Sequence, residues 1–276
     1  MPSIKLDDVE ISYAESGQGP VVLFVQGVGL EGRAWSPQTR ELSRDHRCIS
    51  FDNRGLGASR GDTRVLSVEH MARDALGLLD ALRVERAHVV GHSLGGVIAQ
   101  RLALIAPERI ASLCLMCTFA GGRDLRRPSA RLLWLGTRSR FGSIKARRLA
   151  FARLIMPDAY LAARGAEVVM AELEEIFGRP LWQGPAIADA QLRALRSHDQ
   201  RDQLHHLAAL RCIVLSGRLD PIATHAANTA LAASLQAQHH VWDDASHALP
   251  IQYAHAVNEV LRAHFAAVPY PATHSG

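Results

Sequence analysis

Three features of the chain predict an α/β fold built on a mostly parallel, doubly wound sheet. Short apolar runs such as Val21–Val25 and Ala87–Val90 read as strands buried on both faces. Segments of helical periodicity separate them, as crossovers between parallel strands require. The alternation breaks once, between Ala120 and Leu207, where the pattern is helical throughout. A structureless loop of that length is uncommon in a domain. The stretch is therefore read as a helical cap inserted after the sixth strand.

Taken in order, Ile4–Leu6 and Val9–Tyr13 are short strands around a turn at Asp7-Asp8, and Val21–Val25 is a third strand that runs toward Gly27. A helix over Trp35–Leu42 leads to strand Cys48–Phe51. Ser67 then caps a helix with Met71, Leu76, Leu79 and Leu82 on its apolar side, since a serine oxygen can accept from the free N–H groups of a first turn. Strand Ala87–Val90, helix Leu94–Ile105 and strand Ser112–Cys117 follow. Cap helices are expected around Leu132–Leu135, Ala150–Met156, Ala166–Phe177 and Ala186–Leu195. Strand Cys212–Leu215, a helix near Thr224–Leu235, strand His239–Trp242 and a helix near Gln252–Phe265 complete the pattern. Residues 1–119 and 208–267 thus form the core and 120–207 the cap, while 268–276, with its prolines and serine, is a flexible tail.

With 48% hydrophobic and 21% charged residues over 276 positions, the chain is neither disordered nor fibrous, and it can bury a large core without staples. Four scattered cysteines exclude a disulfide framework. The net charge of +4 comes from 29 arginines and only two lysines, without aromatic interleaving or a nucleic-acid motif, so no nucleic-acid partner is expected. The N-terminus has no apolar core of a signal peptide. The apolar stretch Ala87–Ala106 is broken by His88, His92, Gln100 and Arg101, which argues against membrane insertion. These features lead to the expectation of a cytoplasmic protein; they carry no sign of its oligomeric state.

The chemistry centres on Gly91-His92-Ser93-Leu94-Gly95, a Gly-x-Ser-x-Gly turn between an apolar strand and an apolar helix. Such a turn exposes a serine on strained backbone and needs glycines where neighbouring segments crowd it. A serine hydroxyl is a weak nucleophile, so it needs a base, and the base needs an orienting carboxylate. Asp220 follows strand Cys212–Leu215 and His247 follows strand His239–Trp242, both at the sheet edge where sites of open α/β folds collect. Asp243 and Asp244 are rival acids, but they lie too near His247 in sequence to bracket it easily. Ser93, Asp220 and His247 are the expected catalytic set, with the backbone N–H groups of Val28 and Leu94 as oxyanion donors.

Gln26, Trp134, Phe141, Phe177, Trp182 and Leu249 are expected to line the substrate pocket, the large cap residues forming an apolar roof. Ten Lys/Arg against the single acid Asp124 between Arg123 and Arg153 read as a solvated helix face, with steering of anionic substrates, and docking on a membrane surface or a partner, as the alternatives. Cys114-x-x-Cys117 falls on a strand, whose alternation puts the two thiols on opposite faces, so no redox or metal pair is expected. His205-His206 and His239-His240 are read as solvated surface.

On these residues the chain resembles the α/β-hydrolase superfamily, and within it the small capped esterases and lactonases, a branch that includes enol-lactone hydrolases, methylesterases and cofactor-free haloperoxidase-like enzymes. The resemblance runs over residues 1–267. It rests on Gln26–Gly29, Asp52–Ser59, Gly91–Gly96, Gly217–Asp220 and Ser246-His247. Two departures stand out: Gln26-Gly27 where the family usually has His-Gly, and Ser246-His247 where it often has Gly-His. Ser93 at the elbow sets the chain apart from epoxide hydrolases and dehalogenases, which carry a carboxylate there. The resemblance implies cleavage of a small carboxylic ester or lactone through an acyl-enzyme, with no cofactor and no metal. It also implies that the Asp52–Ser59 loop is structural, its arginine and aspartate bracing the site. Perhydrolysis at the same site is one alternative. A ligand-binding receptor on the same fold is another, opposed by the intact serine, acid and histidine.

Overall fold

The computed structural model describes residues 1–125 and 128–268. Arg126 and Arg127 of the basic early cap, and 269–276 of the expected tail, lie outside the described residues. The chain opens with β1 (Ser3–Lys5), β2 (Val9–Ser16) and β3 (Val21–Val25), then α1 (Ser36–Leu42), β4 (Arg47–Phe51), β5 (Arg60–Gly61), α2 (Val68–Ala81), β6 (Ala87–His92), α3 (Leu94–Ile105) and β7 (Ile110–Met116). The cap contributes α4 (Ala130–Arg140), α5 (Ile144–Ile155), α6 (Asp158–Arg164), α7 (Ala166–Phe177) and α8 (Ala188–Ser197). The fold closes with β8 (Cys212–Gly217), α9 (His225–Leu235), β9 (Gln238–Trp242), α10 (Leu249–Gln252) and α11 (Ala254–Ala266). The cap leaves the strand counted sixth in the sequence; the two-residue β5, too short to carry a pattern, makes it β7 here.

The sheet runs β1-β2-β4-β3-β6-β7-β8-β9, with β5 paired to β2. Pairing is antiparallel from β1 to β4 and parallel from β4 onward. The strand order reverses at β3: the chain passes to β4 on one side, then returns to place β6 on the other. Crossovers leaving two adjacent strands in opposite directions open a crevice at their carboxyl ends. Gln26–Gly29 leaves β3, and Ser93 leaves β6, at that crevice. Strands β3, β6, β7 and β8 are buried along their whole lengths.

A second apolar cluster builds the cap, with Ile155, Met156, Leu173 and Phe177 packed against Ala34 and Ala248 of the sheet domain. Ala194, Leu195, Leu204 and Leu207, by contrast, pack in the core of the sheet, so the end of the insertion also lies against it. Helix α4 departs furthest from expectation. Its single buried residue is Leu135, and Trp134 and Phe141 are 56% and 66% exposed. Those two residues therefore do not line an enclosed roof. Apolar character put them there in the reading of the sequence, whereas the hairpin of α4 and α5 turns them outward.

Four arginines of the basic early cap pair with carboxylates of the later cap helices. Arg131 and Arg153 share Asp158, Arg140 pairs with Asp189 at 2.6 Å, and Arg148 spans Glu167 and Glu174. Arg147 lies over the Trp182 ring and donates to the Trp182 carbonyl. Exposed pairs of this kind each contribute little energy, but together they set how the helices of the cap sit on one another. Among the described residues no helix is long and apolar enough to cross a membrane.

The Asp52–Ser59 loop is fastened from below. Asp52 accepts from the Gly32 and Ala58 N–H groups, and Arg54, buried, donates to Asp74 (2.6 Å) and to Asp8 (3.1 Å). Removing one partner of a buried ion pair leaves the other charge uncompensated. Asp74→Ala should lower unfolding free energy by about 3–5 kcal/mol, read from a urea melt. Loss of less than about 1 kcal/mol would mean that Asp8 alone satisfies the guanidinium.

Candidate active site

Ser93 stands between β6 and α3 with φ 55° and ψ −122°. A serine in that region is strained and persists only where its surroundings hold it. Here its N–H donates to Met116 O, and its carbonyl accepts from the Gly96 N–H and the Thr118 hydroxyl. The flanking glycines are sterically required: a Cβ on Gly91 would lie 2.4 Å from Gly95 O, and one on Gly95 would lie 2.0 Å from Val25 O.

Asp220 and His247 are brought together by the loops after β8 and β9. Gly217 packs against the Ala245 carbonyl so closely that a Cβ would lie 2.4 Å from it. Asp220 is buried, its Oδ1 accepting from the Ile222 and Ala223 N–H groups at 2.8 and 2.9 Å. Its Oδ2 accepts a hydrogen bond from His247 Nδ1–H at 2.8 Å. A neutral imidazole that donates from Nδ1 keeps its lone pair on Nε2. The rival acids are engaged elsewhere, Asp243 with Arg218 and Asp244 with the Tyr253 hydroxyl. The residue after the histidine is fastened to the cap, Ala248 N–H donating to Ile155 O at 2.9 Å.

The loop after β3 completes the group. A Cβ on Gly27 would lie 3.0 Å from Ser93 Cβ, so the loop backbone runs directly past the serine. Leu30 N–H reaches back to Gly27 O, and Gly29, at φ 68°, makes the turn. Among the described residues, neither the Val28 nor the Leu94 N–H is spent on a protein acceptor.

His92, to which the sequence pattern assigns no role in the site, is fully enclosed beside His247. Its Nε2–H donates to the His247 carbonyl at 2.8 Å, the two rings lie 4.8 Å apart, and its Nδ1 is 3.2 Å from Gln26 Oε1. Burial, with a smaller contribution from His247, pushes its pKa down to about 3. A histidine within a wholly buried strand must find partners, and that was the signal available. Gln26 Oε1 also accepts from the Gly27 N–H, so its amide braces the loop instead of facing an open pocket. Leu249 is buried in the sheet core, Phe177 inside the cap beside Phe151, and Trp182 is half-buried under Arg147. Cys114 and Cys117 are both buried, and burial holds both thiols well above the ordinary range, Asp220 adding to the effect at Cys117. The adjacent His205 and His206 are exposed, with their rings 3.9 Å apart.

A family model of the alpha/beta hydrolase fold matches residues 20–156. A Caulobacter protein bearing the name carbamate hydrolase RutD is 31% identical over 74% of this chain and 75% of its own length. The chain belongs to the alpha/beta hydrolase family. With the RutD of Azorhizobium caulinodans identity rises to 40%, but the chain matches less than half of that relative, 44% of its length and 42% of this chain. Among solved alpha/beta hydrolases, the enol-lactonase of Burkholderia xenovorans superposes with a TM-score of 0.80 at 24% identity, covering 96% of this chain and all of the lactonase. The non-heme bromoperoxidase BpoC structure from Mycobacterium tuberculosis gives 0.78 at 25%, covering 94% of this chain and 97% of BpoC.

The buried histidines make stability depend on pH. Burial lowers His92 and His88 from 6.5 to about 3 and His264 to about 4. Between those values and 6.5 the unfolded chain binds protons that the native chain does not. Stability is therefore full above pH 6.5 and falls as pH drops, by up to about 1.4 kcal/mol per pH unit for each such histidine. Urea melts between pH 7 and 4.5 should show this decline. A flat profile would mean that the three imidazoles titrate alike in the native and unfolded chains.

Proposed function

We propose that this alpha/beta hydrolase is a serine enzyme that cleaves small carboxylic esters or lactones through an acyl-enzyme. The reading is carried by the Asp220–His247 bond: the carboxylate spends one oxygen on two backbone N–H groups and the other on Nδ1, leaving Nε2 as the free base. The names borne by its relatives, a lactonase among them, support a hydrolytic reaction at an acyl carbon.

In this mechanism Ser93 Oγ attacks the substrate carbonyl while His247 Nε2 takes the hydroxyl proton. The Val28 and Leu94 N–H groups hold the negative charge that develops on oxygen. Collapse of the intermediate expels the alkoxide, which receives the proton from His247. Water then gives a proton to Nε2 as it attacks the acyl-enzyme, and that proton passes to Ser93 Oγ as the acid is released. Each step uses side chains and backbone alone. His92, held neutral by burial, keeps a second positive charge away from the imidazolium that forms. The likeness to BpoC supports a second use of the same acyl-enzyme, in which hydrogen peroxide replaces water and releases a peracid that oxidises bromide.

Two substitutions test the roles. Ser93→Ala should keep the fold and lose kcat on p-nitrophenyl esters by about 10⁴- to 10⁶-fold, along with labelling by a fluorophosphonate; an unlabelled wild type or an active Ser93→Ala variant would refute the assignment. Asp220→Asn should cost on the order of 10⁴ in kcat by setting the wrong tautomer, whereas Asp243→Asn and Asp244→Asn should remain near wild type. The acid is misassigned if either of those two is the crippling change.

A further inference from the structure

The turn after β3 is gripped by the cap. The Gly29 N–H donates to Gln191 Oε1 of α8 at 2.8 Å, and the Gly29 carbonyl accepts from Arg179 Nη2 at 3.0 Å. A Cβ on Gly29 would lie 3.2 Å from Pro185 and 3.5 Å from Ala188. Four cap residues thus surround one glycine of a sheet-domain loop, the residue next to Val28. Gln191 is completely buried, and its Nε2 meets no acceptor among the described residues. A buried amide with an unmet donor is a poor choice for packing alone, because an apolar side chain of equal length would carry no such donor. The amide's one bond is the one it accepts from Gly29.

We infer that Gln191 is a positioning residue for the oxyanion hole, which it assembles from the cap side; this rests on the reading of Val28 as an oxyanion donor. The Val28–Gly29 peptide shares the Val28 Cα with the peptide whose N–H would meet the oxyanion. Gly29 is free to adopt either sign of φ, so without an acceptor for its N–H this peptide rotates and carries Val28 with it. A donor aids the reaction only when it is aimed before charge develops. Seating of α8 on the loop therefore sets the direction of the Val28 N–H.

The test compares Gln191→Met, which keeps length and burial without the acceptor, with Gln191→Glu, which keeps the acceptor. Gln191→Met exchanges one unmet donor for another, so its Tm should stay near wild type. Its kcat on an activated ester should fall about ten- to a hundredfold, with KM changed by less than about twofold. Affinity for a trifluoromethyl ketone, which presents the oxyanion, should fall by the same factor, and the Gly29 amide should exchange faster. Gln191→Glu should recover most of kcat. Wild-type kcat in Gln191→Met overturns the inference, as does a loss of kcat that leaves ketone affinity intact or that Gln191→Glu shares in full. If wild type turns over no ester and Ser93 takes no fluorophosphonate, the hydrolase reading fails instead, and unchanged Gly29 exchange in Gln191→Met then disposes of the grip as well.

Discussion

The site depends on one steric constraint, the approach of the first turn of α3 to the end of β3. At Gly95 there is no room for a single carbon beside the Val25 carbonyl. That contact presses the backbone of the elbow against the loop that follows β3, and the strained Ser93 conformation follows from it. Because β3 and β6 are adjacent and parallel, their outgoing loops share the crevice at the reversal of strand order. The serine thus faces the Gly27–Leu30 turn through sheet topology, before any side chain is considered. Asp220 and His247 reach the same edge by the same rule, each on the loop that leaves a parallel strand further along the sheet.

Features written in local pattern were legible from the sequence. Apolar runs located the parallel strands, and Ser67 does accept from the His70 N–H at the start of α2. The pairing of Asp220 with His247, rather than with the nearer Asp243 or Asp244, was legible because each follows a strand by a short loop. What escaped was long-range or three-dimensional. His92 meets Gln26 and the His247 backbone, 66 and 155 residues away, and Gln191 meets Gly29 across 162 residues. No periodicity encodes such partners. Trp134 and Phe141 failed for the opposite reason: they are strongly apolar, yet α4 has almost no surface to pack against beyond α5. Hydrophobicity specifies a preference for burial, and topology decides whether burial is on offer.

Charge links the cap helices around their own apolar cluster. The positive charge of the early segment is nearly all arginine, and its partners on α6, α7 and α8 are carboxylates, so part of an excess that looks like a binding surface in sequence is consumed within the cap. Arginine suits this use, since its planar fork engages two acceptors at once, as Arg148 does with Glu174.

The bond from the Ala248 N–H to the Ile155 carbonyl has a consequence for how such a fold can diversify. It is a main-chain contact, indifferent to side-chain identity, and it joins the cap to the residue beside His247. Helices α4 and α7 can therefore vary in sequence while α5 keeps its hold on the histidine loop. An insertion or deletion that shifts the end of α5 has a different fate, because it moves the anchor itself. Cap exchange between members of the family is modular only for donors whose helix ends in register with Ile155, and a graft out of register disturbs the histidine before it alters what the cap admits.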